Sequence, residues 1–435
     1  MKSLIHLLVL VLIVASCTAP KPSAVVSSDI DHFWEAYDKI QETSDSLKQR
    51  EILQTLFLDQ GTPGLEAIMQ ARRYTLDSYL DAIHAYPKFW ESVRTNMAKA
   101  KTLGPEIEDG IAAFERLYPD SKPAKVYFTV GALRTNGTAM DSLVLIGSEL
   151  ALADEHVVTE ELPSSFGYLR AYFDSNPIED VVFLNVHEYV HTQQSTHGGY
   201  DLLSQCLFEG IAEFIPVIAM EEASPTPAIA YGKANDAAIQ EAFIPEMFSP
   251  FYNNWIWNSA DNAFGTRDLG YYVGYAIAEK YYESAADKSE AIQRLLALDF
   301  NDTLAIETFV EEVGYFDQPI AQLKANYEAS RPIVESITPL QNGSTTVDPS
   351  IGEFTITFSE PMDTRSRNFQ YGPKGEDTVL RIQDVLGFSE DGTSISLSIK
   401  MEPNKQYQIV VGEGFRTKAG VPLRPYLIDF RTAAD

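Results

Sequence analysis

The chain has 435 residues, 45% of them hydrophobic, and a formal net charge of −29 from 62 acidic and 33 basic side chains. This length and composition predict two or three folded domains and exclude global disorder. A surface this negative repels nucleic acid and anionic lipid, so we expect neither as a partner.

The N-terminus has the pattern of an export signal. Lys2 precedes the apolar run LIHLLVLVLIVAS, which has the length of a signal peptide and is short for a membrane-spanning helix. The sequence VASC at 14–17 resembles the lipobox of bacterial lipoproteins, in which the cysteine becomes the acylated first residue. We therefore predict a lipoprotein signal peptide at 1–17, lipidation at Cys17 and a flexible tether at 18–28. The alternatives are an ordinary secretory signal or a short membrane anchor.

The lipobox implies an exported protein that is held to the bacterial cell envelope, at the outer membrane or the cell surface. Its contact with the membrane would be made only through the lipid anchor. Cys206 is the one other cysteine of the chain, so no internal disulfide framework is expected.

Residues 29 to about 103 are predicted to be helical, because apolar residues recur at positions i, i+3 and i+4. Two β-rich runs follow, AKVYFTV at 124–130 and SLVLIGSEL at 142–150, separated by the turn-like RTNGTAMD. The second run is expected to be the edge strand that pairs with an extended substrate, by analogy with peptides that add to sheet edges. Helices are expected to return at Asn176 and to continue to about Ser330.

The motif H-E-x-x-H occurs at 187–191, within VVFLNVHEYVH. Residues four apart share a helix face, so His187 and His191 can bind one ion. Glu188 projects about 100° away, where it can contact a water on the metal rather than the metal itself. Asn176 and Pro177 are expected to begin this helix. The alternative is a pair of solvated histidines on a surface helix.

A catalytic zinc ion takes three protein ligands and keeps one position open. His197 stands where metzincins have their third histidine, but that pattern needs a glycine at a sharp turn, and Gln194 occupies this position. Glu209, in LFEGIAEF, lies 18 positions after His191, close to the spacing of gluzincins. We therefore predict one Zn²⁺ per chain, held by His187, His191 and Glu209.

A second helix, YDLLSQCLFEGIAEFI, is expected to bring Glu209 to the ion after the GG pair at 198–199 ends the first helix. Glu213 shares the helix face of Glu209 and is predicted to hydrogen-bond a ligand histidine. Tyr271 and Tyr275, in GYYVGYAI, are the candidates to donate to an oxyanion, with aromatic core packing as the alternative for each.

The combination of HEYVHTQQ, FEGIAEF and GYYVGYAIAEKYY resembles a family of predicted zinc-dependent proteases, many of them bacterial lipoproteins. The likeness covers most of 29–330. It implies an α+β, mostly helical, zincin-like metallopeptidase domain with a small sheet at 29–332. Its substrate would be a peptide or protein, with Glu188 as the catalytic base. Two alternatives stay open: an inactive metallopeptidase fold that serves as a surface binding or adhesion lipoprotein, and a zinc hydrolase of a non-peptide amide.

From residue 333 the chain alternates apolar and polar residues in short runs, GEFTITFS, SISLSIK, QYQIVVG and LIDFRT, which turns separate. FSEPMD and the terminal F-x-T resemble the bacterial Ig-like domain first described in S-layer proteins. We predict an all-β sandwich at 333–435 with its boundary near Pro332. Such modules act as spacers or adhesive units, so a surface ligand for this domain is left open.

Overall fold

The structure is a computed structural model that describes residues 23–196 and 198–434. The predicted signal peptide, Cys17 and the first part of the predicted tether therefore lie outside the described residues, as does His197. The chain divides into two units, Met1–Gln193 with Ala219–Glu221 and Gln194–Ile218 with Glu222–Asp435. Helices fill most of the chain up to residue 330 and strands the remainder, which makes the protein α+β overall.

The first unit packs helices around a small sheet. A π-helical turn, Gln54–Leu58, follows the second helix directly. The helices are α1 (Ser28–Gln41), α2 (Ser46–Leu53), α3 (Pro63–Arg72), α4 (Leu76–Ala85), α5 (Pro87–Met97), α6 (Ala100–Leu117), α7 (Ser148–Ala151), α8 (Tyr168–Asp174) and α9 (Val181–His191). The strands are β1 (Val25–Val26), β2 (Lys125–Thr129), β3 (Gly137–Met140) and β4 (Leu143–Gly147).

The sheet has the order β1-β2-β4-β3, with β3 antiparallel to β4 and the other pairs parallel. The prediction that SLVLIGSEL forms the edge strand is wrong, because β4 lies between β2 and β3. The edge strand is β3, in the segment that we predicted to be a turn. Asn, Gly and Thr give this segment a turn-like composition, and four residues are too few to show an alternating pattern. At the other edge, Val25 and Val26 of the predicted tether are an ordered strand paired with β2.

An aromatic cluster forms part of the core of this unit. Phe33 and Trp34 of α1 meet Phe57 and Trp90, with 4.8 Å between the ring centroids of Phe33 and Trp90. All four side chains are buried. Burial of rings this large joins the N-terminal helices into one body, since each ring removes an extensive apolar surface from water.

Helix α9 begins at Val181. The predicted helix, with Asn176 as its cap, starts four residues earlier, at Pro177. Asn176 has a positive φ of 55°, which is incompatible with an N-cap in the usual extended conformation. Its side-chain oxygen accepts a hydrogen bond from the backbone N–H of Glu155 at 3.1 Å, so it is not available to cap the helix. Residues 177–180 form turns instead.

The second unit contains most of α10 and the helices that follow it. They are α10 (Leu202–Met220), α11 (Pro227–Phe243), α12 (Leu269–Ser284), α13 (Lys288–Ala297), α14 (Thr303–Val313) and α15 (Ile320–Ser330). Among the described residues, α10 is the helix that is long and apolar enough to cross a membrane, but 83% of its apolar window is buried within the protein. Burial of this extent is that of a core helix.

Helices α10 and α12 approach so closely that only glycine fits between them. A Cβ atom on Gly274 would lie 1.8 Å from the carbonyl oxygen of Cys206, and one on Gly210 would lie 2.2 Å from the backbone of Gly274. Cys206 is fully buried at this contact, and burial raises the pKa of its thiol well above the usual range. The thiol therefore stays protonated and acts as a packing group.

The C-terminal part of the unit is a sandwich of two sheets. The strands are β5 (Val334–Thr338), β6 (Glu353–Phe358), β7 (Phe369–Gln370), β8 (Ile382–Phe388), β9 (Ser394–Ile399), β10 (Gln406–Val411) and β11 (Tyr426–Arg431). The four runs predicted to be strands form β6, β9, β10 and β11. One sheet has the order β5-β6-β9-β8 and the other β11-β10-β7.

A buried arginine joins the end of α15 to the sandwich. Arg331 is 9% exposed and donates to the carboxylates of Glu328 at 2.9 Å and Glu413 at 2.6 Å. It also donates to the backbone carbonyls of Pro422 and Leu423. Because these partners satisfy a buried guanidinium on both sides of the junction, the sandwich is fixed against the helices of its own unit.

Gly274→Ala tests the helix contact. The added methyl group has no room beside the Cys206 carbonyl, so we expect a loss of about 1–3 kcal/mol of stability or more. Thermal unfolding followed by circular dichroism should show a melting temperature lower by several degrees. Gly352→Ala is the control, since nothing lies within 4 Å of its added methyl group. Equal melting temperatures for the two variants would contradict the close packing.

Candidate metal centre

The two histidines of the H-E-x-x-H motif converge on one point. Both are buried, His187 with 6% and His191 with 7% of its surface exposed. Their Nε2 atoms lie 3.2 Å apart, and the rings are nearly perpendicular at 82°. This burial does not fit the alternative of two solvated histidines on a surface helix. Two ring nitrogens this close are placed to share one cation.

Glu209 of α10 lies with the two histidines in a group of three side chains that could hold a metal ion. His187, His191 and Glu209 each offer one ligand atom, and these atoms lie within 4.8 Å of one another. Ligand atoms around a tetrahedral zinc ion are about 3.4 Å apart, given zinc–ligand distances near 2.1 Å. The separations therefore fit one ion after a small inward movement. Two histidines and one glutamate are a donor set of catalytic zinc sites, which keep a fourth position open.

Gln205 holds the carboxylate of Glu209, and the sequence reasoning missed it. Its side-chain nitrogen donates to Glu209 Oε1 at 3.2 Å, and its Oε1 accepts from the backbone N–H of Gly199 at 2.8 Å. The nitrogen and the oxygen of the Gln205 side-chain amide are thus both hydrogen-bonded, which fixes the orientation of the Glu209 carboxylate. The available signal was the i, i+4 spacing of Gln205 and Glu209 on one helix.

Gln194 has a structural role at the position where metzincins need glycine. The backbone of Gln194 does not have a positive φ, whereas that of Gly198 does, at 104°. Its side-chain nitrogen donates to the carbonyl oxygen of Phe208 at 2.8 Å, one residue before Glu209. The segment after the motif is therefore tied to helix α10. The part played by His197 stays a matter for experiment.

Glu188 lies against the edge strand. It is 7% exposed, and a Cβ atom on Gly137 would be 2.7 Å from its Oε1 atom. Gly137 is the first residue of β3. Only a residue without a side chain leaves room for the carboxylate here. This requirement for glycine was also missed, because we assigned Gly137 to a turn.

The remaining predicted residue of α10, Glu213, is 3% exposed and accepts a hydrogen bond from the hydroxyl of Ser224. This bond orients one carboxylate oxygen. The expected hydrogen bond to a ligand histidine stays a prediction.

The two candidate tyrosines differ in how their hydroxyls are used. Tyr275 is 2% exposed and donates to Glu279 at 3.1 Å, while its oxygen accepts from Lys233 at 3.3 Å. Burial raises the pKa of the Tyr275 hydroxyl, and the Glu279 carboxylate adds to this effect. The oxygen of Tyr271 accepts from the indole N–H of Trp257 at 3.3 Å. The Tyr275 hydroxyl is thus engaged with Glu279 and Lys233, and the role of either tyrosine as a donor to an oxyanion stays a prediction.

Comparison with known proteins identifies the C-terminal domain. Residues 328–432 match the bacterial Ig-like domain family. This match suggests a protein of the cell surface or the extracellular space. No curated protein matches the chain.

Two S-layer protein structures are among the solved structures that match. One contains domains 1–6 of the surface layer protein SbsC, with 17% identity over 63% of this chain and 38% of that one, and a TM-score of 0.18. The other is the S-layer protein rSbsC(31–844), with 13% identity over 93% of this chain and 45% of that one, and a TM-score of 0.18. This chain thus covers less than half of either protein.

Three single substitutions test which residues contribute to metal binding. We expect Glu209→Ala to lose most of its zinc, because the ion would keep only two protein ligands. Gln205→Ala should bind zinc about 10- to 100-fold more weakly, as is typical for loss of an outer hydrogen-bond partner. His197→Ala should bind nearly normally. Zinc content by mass spectrometry after dialysis against a weak chelator measures all three, and a His197→Ala protein without zinc would overturn the assignment.

Proposed function

We propose that the protein is an exported zinc-dependent metallopeptidase of gluzincin-like type. The observation that carries the proposal is the buried group of His187, His191 and Glu209, with Glu188 beside it on the same helix as the histidines. Titratable side chains that are buried close together are typical of functional sites. A zincin-like fold for 29–332 and the resemblance of its motifs to zinc-dependent proteases belong to the same proposal.

In this proposal each residue of the site has one role in peptide hydrolysis. His187, His191 and Glu209 would hold a zinc ion, which would lower the pKa of a bound water toward neutrality and polarise the substrate carbonyl. Glu188 accepts the proton of the attacking water and returns it to the leaving amine. Tyr271 or Tyr275 would donate a hydrogen bond to the oxyanion. Gln205 keeps the carboxylate of Glu209 in the orientation of a ligand.

The open edge of β3 supports a peptide as the substrate. All four residues of β3 pair with β4 on one side, and the sheet ends at β3 on the other. The free backbone groups of an edge strand can pair with an extended peptide. Because Gly137 of this strand lies against Glu188, a peptide added here would pass close to the catalytic base.

Attachment to the cell envelope through Cys17 is part of the proposal and rests on the lipobox. The Ig-like domain supports a surface location. It also favours one alternative function, that of a surface binding protein in which the metallopeptidase fold is inactive. The complete set of His187, Glu188, His191 and Glu209 supports the enzyme.

Glu188→Gln is the decisive variant. It keeps the shape of the side chain but removes the proton acceptor, so we expect zinc to stay near one ion per chain. Turnover should fall by at least the ~100-fold typical of a lost general base. Zinc content and cleavage of a broad peptide library, read by mass spectrometry, must be measured on the same preparation.

Two outcomes would contradict the proposal. A Glu188→Gln protein that keeps zinc and most of its hydrolysis would leave the mechanism without its base. If zinc-loaded wild-type protein cleaves no peptide of the library, the binding protein becomes the better explanation.

Gly137→Ala tests the position of the base from the opposite side. The added methyl group would meet Glu188 Oε1 at 2.7 Å, so the carboxylate must move. We expect turnover to fall by at least about tenfold, because misplaced catalytic groups lose much of their effect. Zinc binding should be unchanged, since no ligand is altered. Gly104→Ala is the control, with its nearest neighbour at 3.9 Å. Full activity of Gly137→Ala would show that the contact with Glu188 is not needed.

A further inference from the structure

Three arginines gather where β3 begins. Arg72, the last residue of α3, donates from Nη2 to the carbonyl oxygen of Gly137 at 3.4 Å. Arg134 donates from Nη1 to the carbonyl oxygens of Arg72 at 3.1 Å and Arg73 at 3.3 Å. Its guanidinium lies 5.3 Å from the ring centroid of Tyr74. The guanidinium groups of Arg72 and Arg134 are therefore held near the start of β3 by backbone contacts, and Arg73 is the next residue of the chain after Arg72.

This arginine cluster lies beside the proposed catalytic base, with Gly137 as the common neighbour. The carbonyl of Gly137 accepts from Arg72, and its Cα faces the carboxylate of Glu188. Even so, Arg72 makes no ion pair with Glu188, nor does any arginine of the cluster pair with a carboxylate of the described residues within 4.0 Å. The positive charge of the cluster is uncompensated in a protein whose net charge is −29.

Arg72 also has an unused donor. Its Nε atom is buried and has no hydrogen-bond partner. A buried donor left in this state is costly, and a charged one more so. A nearby acid, Glu149, is fully buried and already accepts from the backbone N–H groups of Gly131 at 2.9 Å and Leu133 at 3.1 Å. Glu149 is thus held by the backbone and does not pair with Arg72.

We propose that the arginine cluster is a carboxylate-binding subsite and that Arg72 determines specificity for acidic peptides. A carboxylate presents two oxygens that match the two-pronged geometry of a guanidinium. A substrate on the edge of β3 can supply it from an aspartate or glutamate side chain or from its C-terminus. The proposal rests on the proposed peptidase function, because it assigns a substrate class to the same site.

The carboxylate-binding subsite is tested by measuring peptide binding in the absence of turnover. The probes are three pools of fluorescein-labelled decapeptides of mixed sequence, applied to zinc-loaded, full-length Glu188→Gln protein and followed by fluorescence anisotropy. One pool has a fixed central glutamate and an amidated C-terminus. The second pool has glutamine in place of the glutamate and keeps the amidated C-terminus. The third pool has the glutamine and a free C-terminal carboxylate. We expect one of the two carboxylate pools to bind at least about tenfold more tightly than the neutral pool. The tighter pool identifies the source of the carboxylate.

Substitution assigns the preference to Arg72. Arg72→Gln, in the same background, should reduce the preference to about twofold or less. Arg116→Gln removes an equal charge from an exposed position elsewhere in the unit and should leave the preference intact. Arg72→Lys keeps the charge but loses the two-pronged geometry, so it should lose most of the preference. Melting temperatures of all variants show that they are folded.

Other results would overturn the subsite. Equal binding of the three pools is one, and a preference that survives both substitutions of Arg72 is another. If Arg72→Gln does not fold, the proposal is tested with Arg72→Lys and with Arg73→Gln at an exposed position. An unchanged preference for the carboxylate pool in both variants would exclude the arginine cluster as its binding site. Failure of the proposed enzyme is a separate result, since it would appear as absent cleavage by zinc-loaded wild-type protein whatever the binding preference.

Discussion

The 3.2 Å separation of the Nε2 atoms of His187 and His191 is the constraint on which the site depends. The close approach follows from the spacing of the two residues, which puts both side chains on one face of α9. Two buried ring nitrogens at this distance can both face a single cation. In the proposed metallopeptidase the fold itself would bring these donors together for the ion.

The residues around this pair owe their positions to close backbone approaches. Gly137 lets the edge strand lie against the carboxylate of Glu188, and the glycines at 210 and 274 let α10 pack closely on α12. Helix α10 is the one that carries Glu209. Larger residues at these positions would displace a catalytic group or a ligand by at least the width of a methyl group. The arrangement thus depends on glycines that leave room for the Glu188 carboxylate and for the close packing of α10 on α12.

Patterns with a period were predictable from the sequence, and single positions were not. The helix with the histidines, the helix with Glu209 and four strands of the Ig-like domain follow from repeated apolar spacing or fixed motif spacing. Strand β3 was missed because Gly137 and its neighbours have turn-like composition and only tertiary pairing makes them extended. The start of α9 was misplaced because Asn176 binds the backbone of Glu155, a partner that is distant in sequence. The roles of Gln205 and Arg72 likewise depend on contacts made only in the fold.

The strongly acidic chain and the arginine cluster act on different length scales. The net charge of −29 repels acidic peptides at a distance, but at physiological ionic strength this repulsion is screened over roughly 8 Å. Arg72 acts in direct contact, where its bond to a carboxylate is only weakly screened. Long-range charge mainly affects the rate of association, whereas buried contacts mainly affect the rate of dissociation. A preference for acidic substrates would therefore arise from slow release. The negative charge of the whole protein, which led us to expect no nucleic acid partner, is compatible with an anionic substrate at this subsite.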